Sequence, residues 1–326
     1  MQMQIIGGVV SFLIAIICGI IFIPMLRKLK FGQEIREEGP AWHASKSGTP
    51  TMGGFIFIVA IVLAFPICYL LRDSLNYGGG NTFDVIMLII VSLGFGVIGF
   101  IDDYIKVVQK RNLGLTAKQK FSLQFLVALG FAVWVAFGTG VGTYIDIPFI
   151  NDSLDLGIFY LPFIVIVILA TVNSVNLTDG LDGLATSITI VIAIFFMILS
   201  DELKNPGIAF FAATLIGSLA GFLIYNWKPA KAFMGDTGSL FLGGAVCGIA
   251  ILLKQPLTLL IVGFVYVMES LSVIMQVASF KLTGKRIFKM SPIHHHFEMC
   301  GWNEVTVVAV FTGVTVVLCA IMYFLA

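Results

Sequence analysis

The chain has 326 residues, of which 59% are hydrophobic and only 11% charged, and its formal net charge is +1. A soluble domain carries roughly a quarter charged residues, so a soluble fold is excluded. A charge so near zero gives no electrostatic footprint for nucleic acid, and a mean hydropathy of +1.03 fits an all-α protein that crosses a bilayer many times.

Each crossing needs roughly 20 apolar residues. Ten such runs are present, near 3–25, 52–71, 83–101, 119–138, 157–175, 183–200, 206–225, 237–253, 256–280 and 303–325. They leave no room for a soluble domain of usual size, so residues 1–326 read as a single integral membrane domain. The first run has no basic residue ahead of its apolar core, while Arg27, Lys28 and Lys30 follow it. That order predicts a first span with its N-terminus outside rather than a cleaved leader. Four of the five cysteines lie in apolar runs, and no pair has the spacing of a metal knuckle, so they read as reduced packing residues.

The connections after spans 1, 3, 7 and 9 hold sixteen of the nineteen basic residues. By the positive-inside rule these loops are cytoplasmic and both termini are extracytoplasmic. Alternation places the loop after span 5 inside as well, so five loops face one aqueous compartment. The outer loops, 72–82 and 139–155, read as solvated connectors.

The first inner loop carries GPAWHASKSGTPTMGG, Gly39 to Gly54, with His43, Lys46, Thr49 and Thr51 as donors. Free N–H groups at the start of span 2, with a lysine upstream, suit a phosphate; a proline-capped helix start is the plainer reading. The second begins GFIDDY. Asp102 and Asp103 there sit at the unfavourable end of a helix dipole, and adjacent positions point apart, so the two carboxylates have different tasks. Lys118 and Lys120 open span 4, as anchors at the membrane interface or as diphosphate contacts.

Between spans 5 and 6 lies NSVNLTDGLDGLA, Asn173 to Ala185. If helical, it places Asn176, Asp179 and Asp182 near one face. Carboxylates at a membrane boundary are costly unless a cation meets them, and oxygen ligands suit Mg²⁺ or Mn²⁺. The stretch is thus either one wall of a metal-phosphate site or a polar connector. The fourth inner loop, NWKPAKAFMGDTGS, sets Asp236 at the start of span 8, as a helix cap or as a metal ligand. The fifth, KMSPIHHHF, holds His294, His295 and His296. Three consecutive imidazoles do not converge on one zinc ion, which leaves phosphate or sugar contacts. Phe280 to Met290, mixed apolar and basic, suits the membrane surface. No Walker A loop or dinucleotide fingerprint is present.

GPAWHASKSGTPTMGG, GFIDDY, GLTAKQKF, NSVNLTDGLDGLA, FMGDTGS and SPIHHHFE occur in that order and span nearly the whole chain. In these motifs the sequence resembles the prokaryotic polyprenyl-phosphate N-acetylhexosamine-1-phosphate transferases. HHHF and GTPTMGG favour the muramoyl-pentapeptide branch over the N-acetylglucosamine one. The resemblance implies ten spans in the bacterial inner membrane, an active-site cleft on the cytoplasmic face, Mg²⁺ and a homodimer. It also implies UDP-N-acetylmuramoyl-pentapeptide as donor, undecaprenyl phosphate as acceptor, and lipid I and UMP as products in peptidoglycan synthesis. Carried over by motif, Asp236 is a Mg²⁺ ligand and Asn176 a second polar contact to the ion. Asp102 and Asp103 match the pair assigned to acceptor activation or metal-diphosphate support. Asp179 and Asp182 match the carboxylates of the nucleoside pocket, and Lys46, Thr51, Lys120 and His294 to His296 fall at substrate-contacting positions. The rivals are a sibling transferase using UDP-N-acetylglucosamine and a secondary transporter. The latter is disfavoured because the acidic residues gather at one membrane face and no inverted repeat is visible.

Overall fold

In a bilayer every backbone polar group must be satisfied within the chain, so long apolar runs have little choice but to be helices. The computed structural model describes residues 2–28, 48–71, 82–108, 114–150 and 152–325. Its helices are α1 (Gln2–Lys28), α2 (Gly54–Leu71), α3 (Thr82–Val108), α4 (Ala117–Gly138), α5 (Tyr160–Thr178), α6 (Leu184–Glu202), α7 (Pro206–Asn226), α8 (Gly235–Leu252), α9 (Pro256–Val262), α10 (Phe264–Thr283), α11 (Ile293–Met299) and α12 (Glu304–Leu325). Ten of them, all but α9 and α11, are long and apolar enough to cross a membrane.

Local sequence sets several boundaries. Thr116 and Gln119 close a reciprocal capping box at the start of α4: Thr116 Oγ1 accepts from the Gln119 N–H at 3.3 Å, and Gln119 Oε1 accepts from the Thr116 N–H at 3.0 Å. Asn205 caps α7 ahead of Pro206.

Helix α8 is the axis of the bundle, with every residue from Thr237 to Leu252 buried. It packs between α3 and α5, while α1 lies along α7. Small residues set the approach. A Cβ on Gly99 of α3 would stand 2.0 Å from the Asp236 carbonyl oxygen, and one on Gly54 of α2 would stand 2.5 Å from the Gly238 Cα. Without these glycines the first turn of α8 could not enter the helix bundle.

The two ends of the bundle differ. At one, Gln4 donates to Asp201 at 2.5 Å, and strands β1 (Tyr144–Asp146) and β2 (Ser153–Asp155) form an antiparallel pair stitched to the α8–α9 turn by Asp146 and Lys254. The 139–155 connector thus carries a short strand pair, with β2 exposed as a solvated connector would be. At the other end, Thr51, Asp103, Asn176 and Asp236 come together, and His294 packs on Gly180 beside them.

Three expectations change. The run 256–280 is two helices, broken at Gly263, and only α10 spans. Helix α3 runs on to Val108, so Asp102 and Asp103 lie inside it rather than at its end. The histidine triplet forms the short helix α11 rather than a loop.

Candidate active site

Asp103 projects from α3 onto the N-terminus of α8. Its Oδ1 accepts from the Asp236 N–H at 3.2 Å. Its Oδ2 accepts from the Thr237 N–H at 2.9 Å and from Thr237 Oγ1 at 2.7 Å. An N-terminal helix turn exposes unpaired N–H groups and carries positive potential, and a buried carboxylate from a neighbouring helix satisfies both. Gly235, at φ +69°, makes the turn that allows this; a Cβ there would meet Asp103 Oδ2 at 2.6 Å and Thr51 Oγ1 at 2.7 Å. Thr51 is buried at this junction.

Asp102, its neighbour in sequence, faces the other way. Its Oδ1 accepts from the Leu115 N–H at 2.9 Å, and its Oδ2 pairs with Lys106 Nζ at 2.6 Å, one helical turn on. The two adjacent carboxyl groups thus take different partners.

Asp236, in the first turn of α8, is the meeting point. Its Oδ2 accepts from Lys106 Nζ at 2.9 Å and Lys120 Nζ at 2.7 Å, and its Oδ1 from Asn176 Nδ2 at 2.8 Å. Four helices thus converge on one side chain. Asp102, Asp103 and Asp236 each offer an oxygen within 4.8 Å of the others. Three carboxyl groups gather there with two lysines. An all-oxygen donor set of that span fits Mg²⁺, which takes hard oxygen ligands at roughly 2.1 Å, and does not fit a structural zinc site.

The Asn173–Ala185 stretch is not one helix. Helix α5 ends at Thr178, Asp179 is its C-cap, and a turn follows to Gly183. Asn176 therefore faces Asp236, while Asp182 leaves that face. Asp182 is buried; its Oδ2 accepts from the Ala230 N–H at 3.0 Å, and its N–H donates to Glu304 Oε1 at 2.6 Å. Glu304 in turn pairs with Lys228 at 2.9 Å. Asp182 so ties the α5–α6 turn to the α7–α8 loop and to the start of α12.

The N–H groups of TPTMGG are not all free. The Gly53 N–H donates to Phe233 O at 2.7 Å and the Gly54 N–H to Met234 O at 3.0 Å, so they hold the α7–α8 loop instead of awaiting an anion. Lys46 and His43 lie outside the described residues.

The three histidines take three partners. His294 Nδ1 meets Glu269 Oε2 at 3.0 Å, His295 Nδ1 meets Glu298 Oε2 at 2.8 Å, and His296 Nδ1 accepts from the Lys289 N–H at 3.1 Å. Lys118 is exposed.

Two groups escaped sequence reading. Lys106 looked like one more basic loop residue, although its i, i+4 spacing from Asp102 was visible. Glu269 stood alone in an apolar run, and an intramembrane carboxylate is itself a signal.

Residues 85–254, from α3 to the α8–α9 turn, match glycosyl transferase family 4. That segment holds the Asp102–Asp103–Asp236 cluster, Lys106, Lys120 and Asn176. A phospho-N-acetylmuramoyl-pentapeptide-transferase of Clostridium perfringens is 51% identical over 97% of this chain and 96% of its own length. Proteins of the same name from Clostridium kluyveri and Clostridium beijerinckii are 51% and 52% identical, each over 96% of this chain and over 96% and 93% of their own lengths. The similarity thus runs past the family segment through α11 and α12, and the chain belongs to glycosyl transferase family 4, in the branch of the phospho-N-acetylmuramoyl-pentapeptide-transferases.

Proposed function

We propose that this chain transfers phospho-N-acetylmuramoyl-pentapeptide from UDP-N-acetylmuramoyl-pentapeptide to undecaprenyl phosphate, giving lipid I and UMP. The observation that carries this reading is the gathering of Asp102, Asp103, Asp236, Lys106 and Lys120 at one end of a membrane-spanning bundle. Such a site can join a water-soluble donor to a lipid acceptor without either leaving its own phase. The site lies on the cytoplasmic face of the bacterial inner membrane, with both termini outside; the density of basic residues in the loops at that end supports this. The whole chain acts as one domain, as a homodimer.

Asp236 and Asn176 would hold Mg²⁺, with Asp102 within reach. When bound, the ion neutralises diphosphate charge and favours departure of UMP. Lys106 and Lys120 supply positive charge beside the same carboxylate, where the donor phosphates would lie. Asp103 fixes the first turn of α8 and so the bearing of Asp236. Asp179 and Asp182 line the nucleoside pocket, Asp182 by anchoring the loop at Ala230. Lys46, Thr51 and His294 to His296 contact the donor.

A phosphate monoester has its second pKa near roughly 6, so the acceptor is already mostly ionised at neutral pH. It needs no strong base, and direct attack on the donor's β-phosphate is the simpler route. The test is UMP release by purified protein with the acceptor present. UDP-N-acetylmuramoyl-pentapeptide should be used, and UDP-N-acetylglucosamine should not; the reverse preference would make the chain a sibling transferase. A phospho-sugar adduct on the protein, formed without acceptor and seen by intact mass, would replace direct attack with a covalent route.

A further inference from the structure

Glu269 lies in the second turn of α10, inside a spanning helix, and none of its surface is exposed. An ionisable side chain so placed is expensive unless it is paired and has a task. Its one side-chain partner among the described residues is His294, itself 1% exposed. The pair is incomplete on both sides: Glu269 Oε1 and His294 Nε2 are buried without a hydrogen-bond partner. The imidazole then stands against the α5–α6 turn. A Cβ on Gly180 would lie 2.2 Å from His294 Nε2, so only a glycine lets the ring rest there. Gly180 follows Asp179 directly and lies two residues before Asp182.

We propose that Glu269 is a positioning residue for donor binding: through His294 it sets the turn Asp179–Gly183, and with it the carboxylates that face the nucleoside. This rests on the transferase reading above. The contact at Nδ1 fixes the ring's rotation, much as an outer carboxylate orients a ligating histidine. Nε2 has no partner here, and a polar group of the donor provides one when the turn adjusts. Neither Glu269 nor Gly180 needs to touch the reacting phosphates.

The test uses full-length protein in detergent or nanodiscs and follows UMP release while donor and acceptor are varied separately. Glu269→Gln keeps the volume but not the charge. It should raise the donor KM about tenfold, the scale of one lost hydrogen bond to a charged group, and leave the acceptor KM unchanged. Gly180→Ala should produce the same defect by moving the ring, and the double variant should be no worse than either alone, because both act through one contact. Glu269→Asp should recover part of the loss. An unchanged donor KM in Glu269→Gln would overturn the proposal. So would a matching loss in both substrates, or a fall in kcat and thermal stability together. If Glu269→Gln does not fold, Gly180→Ala decides on the same donor-against-acceptor split. Wild-type protein that releases no UMP would overturn the transferase reading itself, a result distinct from an active wild type with a silent Glu269→Gln.

Discussion

Two neighbouring aspartates do opposite work because one helix turn aims them at different partners. Asp103 spends both oxygens on three donors at the start of α8. An asparagine keeps one acceptor oxygen, so Asp103→Asn should cost roughly 1–3 kcal/mol of stability, read as a lower melting temperature in detergent. Activity should fall with it, since Asp236 rides on that turn; an unchanged melting temperature would deny Asp103 its capping role. Lys106 binds Asp102 and Asp236 at once. Lys106→Gln leaves Lys120 in place, and turnover should drop by roughly tenfold to a thousandfold, the range of a lost preorganised electrostatic group. The aspartates were legible in sequence because charged residues are rare in apolar runs. The second role of Lys106 was not, because only the fold brings α8 to it.

At the scale of elements, the site exists because α8 can come close to α3 and α2. Gly99→Ala pushes a methyl into the Asp236 backbone, where nothing flexible can give way. It should destabilise by about 1–3 kcal/mol, as overpacked cores do, and reduce turnover more than a mutation of equal cost elsewhere in α3. Thermal unfolding and UMP release measured on the same preparation check both halves. Ten helices could be read from hydropathy alone, since the bilayer enforces length and composition. The break at Gly263 and the end of α5 at Thr178 could not. Apolar composition continues across the first, and the second is fixed by tertiary bonds from Asp182 to Ala230 and Glu304. Helix α11 escaped for a like reason: its seven residues are held by partners on α10 and within its own turn.

At the scale of the whole molecule, the proposed orientation, with the basic loops inside, can be tested with a residue the protein already has. Cys18, Cys68, Cys247 and Cys319 are buried, and Cys300 is exposed near the histidine helix. A membrane-impermeant thiol reagent should label Cys300 in inside-out vesicles and spare it in intact spheroplasts; labelling from outside would reverse the topology. The order of motifs identified the family across the chain, but their convergence is a property of the fold. Lys120 and Asp236 are 116 residues apart, yet their side chains meet at 2.7 Å.

The most direct measurement is the Mg²⁺ dependence of UMP release by wild type and by Asp236→Asn, with folding verified by melting temperature. Wild type should lose activity on chelation and regain it with Mg²⁺. The variant should stay folded and release UMP at least about a hundredfold more slowly at any Mg²⁺ concentration. A folded Asp236→Asn protein with a near-normal rate, or a wild type indifferent to chelation, would contradict the account.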